Sequence, residues 1–219
     1  MLFDQKRILV LAPHTDDAEF GCGGTIAKLI EGGCEVFSTA FSSAIKSLPP
    51  GWAADTLKLE VKRATAHLGL PPANLRLMDY PVREFPRFRQ EILDDMLKLK
   101  AEIRPEVVFL PCRMDTHQDH EVVSNEGFRA FKDTTILGYE LPWNNLTFQS
   151  NCFVYLKESH LKKKIKAVEC YESQRGRPYA SAEFVRSLAV TRGTQIGTRY
   201  AEAYECIRWV WDGDRDKSE

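Results

Sequence analysis

Short apolar runs alternate with longer stretches of helical periodicity through the first 131 residues. Residues 8–11 and 107–110 are compact apolar runs, the pattern of strands buried on both faces, 36–41 also reads as a strand, and 75–78 reads as a weaker one. Between them, residues 23–30, 56–68, 88–103 and 120–131 repeat apolar side chains every three or four positions, as helices laid on a sheet do. In the third of these helices Phe88, Ile92, Met96, Leu99 and Ile103 share one face, and Pro105 marks the stop. Gly32-Gly33 and Gly69 end the first two. The alternation predicts an α/β fold with a mostly parallel sheet and right-handed crossovers. After residue 133 the pattern changes, with strands predicted at 151–156 and 204–211 and helices at 159–171 and 181–192. No repeat or linker divides the chain, so one domain over residues 1–219 is expected, with a charged tail at 212–219 that frays. The Pro-, Ser- and Gly-rich segment 42–55 is long for a loop inside a compact domain, and such loops are mostly functional or disordered.

Two of the buried runs lead into acidic histidine clusters. Ile8-Leu9-Val10-Leu11 precedes His14-Thr15-Asp16-Asp17, and Val107-Val108-Phe109-Leu110 precedes His117-Gln118-Asp119-His120. Imidazole and carboxylate are the ligand set of a catalytic zinc, and open α/β sheets keep their ligands at the carboxyl ends of strands. A hydrolytic zinc takes three protein ligands and leaves a position open for water. His14 and Asp17 can reach one ion from a single turn, and His120, at the predicted start of a helix, can complete the set. Asp16 is then free to act as general base on the attacking water. His117 is placed to stabilise the oxyanion as an imidazolium, with Asp119 fixing its tautomer and charge. A single such cluster could merely cap a helix. Two clusters, each after a buried strand and each joining His to Asp, point to a metal site. Gly21-Cys22-Gly23-Gly24 starts too far from the first strand to be a dinucleotide loop, and its glycines are expected to let the helix pack close to the sheet.

Composition narrows the field. The chain has 219 residues, 43 % apolar and 28 % charged, with a net charge of −1, which suits a globular enzyme and not a nucleic-acid binder. The run Lys162-Lys163-Lys164 reads as the polar face of a helix whose apolar stripe is Leu161, Ile165 and Val168. No segment approaches the roughly 20 apolar residues of a membrane span, and the first apolar run breaks at Pro13-His14, too early for a signal peptide. The six cysteines (Cys22, Cys34, Cys112, Cys152, Cys170, Cys206) form no CxxC pair and fit a reducing, cytoplasmic compartment. Trp52, Tyr80, Arg83, Trp143 and Arg175 fall in predicted loops and are candidates to line a pocket.

Taken together these residues resemble the LmbE-like/PIG-L de-N-acetylases, zinc enzymes that remove acetyl groups from N-acetylglucosamine-type amines. Pro13-His14-Thr15-Asp16-Asp17-Ala18-Glu19 followed by Gly21, Gly23 and Gly24 is similar to the family's opening H-P-D-D-E motif, and His117–His120 to its H-x-D-H motif. Weaker likenesses are Glu60 with Leu68-Gly69, Tyr171-Glu172-Ser173-Gln174 and Tyr200-Ala201-Glu202-Ala203-Tyr204, so the resemblance runs from about residue 7 to about residue 204. It implies a Rossmann-like sheet, zinc bound by His14, Asp17 and His120, Asp16 as base, and His117 with Asp119 at the oxyanion. It also implies a small N-acylated amino sugar or conjugate as substrate and a tendency to self-associate. Two positions depart from the family. Thr15 stands where a proline is usual. Leu57 stands where many members carry an arginine, so substrate contacts differ, with Lys58 or Arg63 as candidate substitutes. A second reading keeps the amidase chemistry but takes an acylated thiol precursor or antibiotic intermediate. A third, a non-catalytic zinc-binding domain, is disfavoured because structural zinc is normally closed by four protein ligands, whereas Asp16 and His117 are spare here.

Overall fold

The computed structural model describes residues 6–210. Its strands are β1 (Arg7–Ala12), β2 (Glu35–Ala40), β3 (Leu75–Leu77), β4 (Val107–Pro111), β5 (Thr135–Tyr139), β6 (Cys152–Tyr155) and β7 (Ala201–Arg208). Its helices are α1 (Asp17–Glu31), α2 (Thr56–Leu68), α3 (Arg89–Ile103), α4 (Gln118–Ala130), α5 (Glu158–Glu169) and α6 (Ala182–Gln195). The strands form one seven-stranded sheet in the order β3-β2-β1-β4-β5-β7-β6. From β3 to β5 neighbouring strands run parallel, and β7 and β6 add antiparallel at the far edge.

The alternation of side chains along each strand supplies two cores. Ile8, Val10, Val36, Val107 and Phe109 face α1, α2 and α5, while Leu9, Leu11, Val108 and Leu110 face α3 and α4. Each such side chain buried on folding contributes about 1.5–3 kcal/mol. β1 feeds α1 and β2 on one side, whereas the chain reaches β4 on the other side of β1, with Ile8 beside Val107 and Val10 beside Phe109. Strand order therefore reverses at β1 and β4, and the loops leaving their carboxyl ends open onto one crevice.

Three elements differ from the sequence expectation. Helix α1 starts at Asp17, six residues before the predicted Gly23, and breaks at Cys22, whose φ of −144° and ψ of 21° are not helical. The apolar periodicity marks only its second half. The freed N–H groups of Gly24 and Thr25 there donate to the buried carboxylate of Glu202, at 3.0 and 2.6 Å. Strand β5 has no counterpart in the pattern, because its only aliphatic pair is followed by Gly138. A Cβ at that glycine would meet the Cα of Cys112 at 2.9 Å. The last strand begins at Ala201, three residues early, and the predicted tail at 212–219 lies outside the described residues. The glycines of the first helix do bring it close to the sheet, since a Cβ at Gly21 would overlap the ring of Tyr139 on β5.

Glu202 ties these parts together. Besides capping the second half of α1, it pairs with Lys164 of α5 at 2.6 Å and accepts from the Tyr204 hydroxyl at 3.0 Å. Burial opposes its ionisation, but Lys164 and the N–H donors hold its carboxyl below the usual range. Its stabilising contribution is therefore present above the ordinary glutamate pKa and is lost as pH falls through the lower, folded value. Glu202→Gln should destabilise the protein by about 3–5 kcal/mol near neutral pH, because Lys164 is left as a buried, unpaired charge. Urea midpoints of variant and parent should converge as the solution is acidified.

Candidate active site

The loops after β1 and β4 place three donor atoms on one small triangle. His14 Nδ1 lies 3.1 Å from Asp17 Oδ2 and 3.2 Å from His120 Nε2, and that nitrogen lies 3.3 Å from Asp17 Oδ2. Ligands of a tetrahedral zinc, at about 2.0–2.1 Å from the ion, stand about 3.3 Å from one another. The spacing therefore fits one such ion.

The surrounding hydrogen bonds aim the imidazoles. His14 Nε2 donates to Asp119 Oδ2 at 3.0 Å, which turns the lone pair of Nδ1 toward the triangle. His120 Nδ1 donates to Asp115 Oδ2 at 2.8 Å, which does the same for Nε2. Asp17 is fixed by the backbone N–H of His14, which donates to its Oδ2 at 2.8 Å. Burial works against protonating either histidine, yet the neighbouring carboxylates prevail: His14 is raised and His120 is pushed up to about 10. The pocket floor thus favours positive charge at the point where the three donors meet, and a metal ion there would displace protons.

Asp16, beside the triangle, is half-buried and its carboxyl is raised to about 6 by burial and by the charge of Asp17. Glu19, one turn further, is pushed up to about 8 by burial. The Tyr171 hydroxyl lies 2.6 Å from the Thr15 carbonyl and 3.0 Å from Glu19 Oε2. One hydroxyl proton cannot serve both, and a protonated Glu19 donating to Tyr171 resolves the geometry.

Asp119 corrects the sequence expectation. Its carboxylate does not reach the His117 ring but binds His14, the backbone N–H of Arg83 at 2.5 Å and that of Phe85 at 3.2 Å. Its own backbone N–H donates to His117 Nδ1 at 3.1 Å, capping α4. A ring nitrogen that accepts a backbone N–H carries no proton, so His117 is neutral here and presents Nε2–H. Burial and the neighbouring His120 and His14 push its pKa down to about 4. The imidazolium expected at this position is therefore replaced by a neutral donor. The ring nitrogens of His14, His117 and His120 also come within 4.8 Å of one another, a wider set than the one containing Asp17.

The triangle lies in a cleft of about 430 Å³. Of the loop candidates, Arg83 and Trp143 line it, whereas Trp52, Tyr80 and Arg175 do not. Leu57 contributes an apolar patch of wall. Neither proposed substitute lines the cleft: Lys58 is paired with Asp79, and Arg63 lies elsewhere. Segment 42–55 supplies Ala44, Lys46 and Ser47 to the rim and is tied down by a Ser43–Asp79 hydrogen bond of 2.8 Å. Sequence reasoning misses Asp115, although its place two residues before His117 is a usable signal. It meets Gln174 only as part of a weak family likeness and misses Arg177 and Tyr179, which follow a turn anchored far away in sequence. Buried Glu60 accepts from the backbone N–H and hydroxyl of Ser173, at 2.9 and 2.7 Å, joining two of the weaker family motifs.

The fold is a mostly parallel α/β sheet whose crevice carries histidine and carboxylate donors that could hold a metal ion. Residues 9–131 match the family described as PIG-L, GlcNAc-PI de-N-acetylase, and the chain belongs to that family. It is 26 % identical to the diacetylchitobiose deacetylase of Thermococcus kodakarensis, over 94 % of this chain and 84 % of that protein. The solved N,N'-diacetylchitobiose deacetylase of Pyrococcus horikoshii superposes with a TM-score of 0.72 at 25 % identity, covering 91 % of this chain and 83 % of that one. The 4-carboxy-2-hydroxymuconate hydratase of Pseudomonas putida KT2440 shares the fold, with a TM-score of 0.77 at 18 % identity over 96 % and 99 % of the two chains. Among the described residues no helix is long and apolar enough to cross a membrane.

Proposed function

We propose that this protein is a zinc-dependent N-deacetylase acting on an N-acetylated amino sugar or a conjugate of one. The observation that carries the reading is the convergence of His14 Nδ1, Asp17 Oδ2 and His120 Nε2 at 3.1–3.3 Å, with Asp16 left over beside them. The deacetylase names of its relatives support the reaction class.

His14, Asp17 and His120 hold the ion, and Asp119 and Asp115 orient the two imidazoles. A zinc ion so held would supply a Lewis acid for the scissile carbonyl and make water easier to deprotonate. Asp16, with its pKa near 6, is ionised at neutral pH yet basic enough to take a proton from the attacking water. The hydroxyl adds to the amide carbon, and the proton held on Asp16 passes to the leaving nitrogen. The carbon–nitrogen bond then breaks, acetic acid and the free amine result, and Asp16 returns to its starting state. His117 Nε2–H donates to the carbonyl oxygen as negative charge develops on it. A neutral imidazole suffices for this step, because a polarised N–H aimed at a carbonyl oxygen stabilises the developing charge without a net charge of its own.

His14→Ala and His120→Ala should each abolish stoichiometric zinc, measured by elemental analysis of the purified protein. Full metal content in both would overturn the ligand assignment. Asp16→Asn should keep near-parental zinc while acetate release from N-acetylglucosamine derivatives falls by about 10²–10⁴-fold. Undiminished activity in that variant would remove Asp16 from the mechanism. His117→Ala should retain the metal and lose about 10²–10³-fold in kcat, since an oxyanion contact acts mainly in the transition state. Loss of zinc in that variant would instead make His117 a ligand.

A further inference from the structure

Among the described residues, Ala44, Arg83 and Arg104 have a left-handed backbone without being glycine. Arg104 caps the end of α3, where that conformation is ordinary. Arg83, with φ of 69°, ends no helix and lies in the loop between β3 and α3. A long side chain stays in this region only where its surroundings over-determine it. Here the two flanking anchors are buried in different cores. Val82 is 4 % exposed in the core on the α1 and α2 side, and Phe85 is fully buried in the core on the α3 and α4 side.

What the conformation achieves is the convergence of two N–H groups. φ is 69° at Arg83 and −123° at Glu84. Backbone whose handedness alternates in this way turns its N–H groups to one concave side, an anion-binding nest. The occupant of the nest is a side chain of the site itself. The N–H of Arg83 donates to Asp119 Oδ2 at 2.5 Å, and that of Phe85 donates to Oδ1 at 3.2 Å. Oδ2 also takes the proton of His14 Nε2 at 3.0 Å, and the ring of Phe85 lies 6.1 Å from that imidazole. The Arg83 guanidinium takes no part in this, since it donates to the Lys46 carbonyl at 3.0 Å on the rim of the cleft.

We propose that Arg83 is a positioning residue of the metal site: its left-handed backbone shapes a nest that holds the Asp119 carboxylate against His14. The side chain of Arg83 is dispensable for that task. The inference rests on the metal reading above. The Asp119 carboxylate has no protein donor besides His14 and the two nest N–H groups among the described residues, so the nest decides where it points. A carboxylate released from the nest no longer aims the lone pair of His14 Nδ1 at the triangle.

The test grades position 83 by its tolerance of the left-handed region, from Gly through Asn and Ala to Val. Zinc affinity is measured on each full-length variant by competition with a chromophoric chelator. Arg83→Gly should bind zinc at least as tightly as the parent, and Arg83→Asn within about threefold of it. Arg83→Ala should bind about tenfold more weakly and Arg83→Val up to about 100-fold, the range for loss of a group that orients a ligand. Arg104→Val places the same strain before β4, at the end of the sheet away from the site. It should lower the urea midpoint as Arg83→Val does and leave zinc affinity at the parental value. Should Arg83→Val fail to fold, Asn and Ala still give the order. Equal weakening in Arg83→Gly and Arg83→Val would return the role to the guanidinium and overturn the proposal. So would an affinity that ignores the series, or one that falls as far in Arg104→Val. Amide hydrogen exchange at Phe85 in the metal-free protein needs neither ion nor substrate. It should be slow in the parent and in Arg83→Gly, and about tenfold or more faster in Arg83→Ala. Fast exchange in the parent, or equal protection in Arg83→Ala, would overturn the nest. A parent protein that takes up no zinc would refute the metal reading, while the Phe85 exchange would still decide the nest.

Discussion

The side-by-side pairing of β1 and β4 is the constraint on which the cleft depends. Their residues stand in parallel register, Ile8 against Val107 through Val10 against Phe109, and the two loops leave the same edge of the sheet. His14 and Asp119 are 105 residues apart in sequence, yet their side chains meet at 3.0 Å because each loop has only a short distance to travel from its strand. A one-residue slip in that pairing would turn Leu9 and Leu11 into the opposite core and carry His14 away from Asp119. The apolar packing on both faces therefore specifies the polar site at the strand ends.

What the sheet brings together is costly to hold together. Asp17, Asp115 and Asp119 are all at most 5 % exposed and lie within one shell of His14 and His120. Each is partly compensated locally: Asp17 by the His14 backbone N–H, Asp115 by the N–H of His117, and Asp119 by the N–H groups of Arg83 and Phe85. Backbone donors do not supply net charge, and buried carboxylates in low dielectric call for a cation. The raised pKa values of His14 and His120 express that demand through protons. A divalent ion meets it through the same donor atoms, which is why the geometry and the electrostatics of the floor argue for one occupant.

Much of this is legible in the sequence, for physical reasons that differ from element to element. The parallel half of the sheet announces itself because strands buried on both faces must be continuously apolar, and the triangle follows because both histidine clusters come directly after such strands. β5 is silent: its space is limited by Cys112 and Ile207 around Gly138, so the position that would have completed an apolar run holds a glycine. The first half of α1 is silent as well, since Asp17 lines the cleft and buried Glu19 is bonded to Tyr171, so polar residues stand where an apolar face would show. The charge state of His117 cannot be read from spacing, because it depends on whether the side chain or the backbone of Asp119 meets its ring. Arg177 and Tyr179 are hidden for a related reason, as the turn that presents them is secured by Glu60, 113 residues away from Ser173.

The fold alone does not choose the reaction. A hydratase shares nearly the whole architecture, so the strand order and the crevice are compatible with more than one chemistry. What separates amide hydrolysis from other uses of the crevice is the set of groups left over once a metal has taken its ligands. Asp16 is raised by burial and by the charge of Asp17 but is not required by the triangle, and His117 is kept neutral by a backbone donor with its second nitrogen free. In the proposed mechanism Asp16 carries one proton from water to nitrogen and His117 donates without a charge of its own, beside the Lewis acidity a metal would supply. Both are set locally at the ends of strands, Asp16 by burial beside Asp17 and His117 by the Asp119 N–H, and that is where activity within this fold can change while the sheet beneath it stays the same.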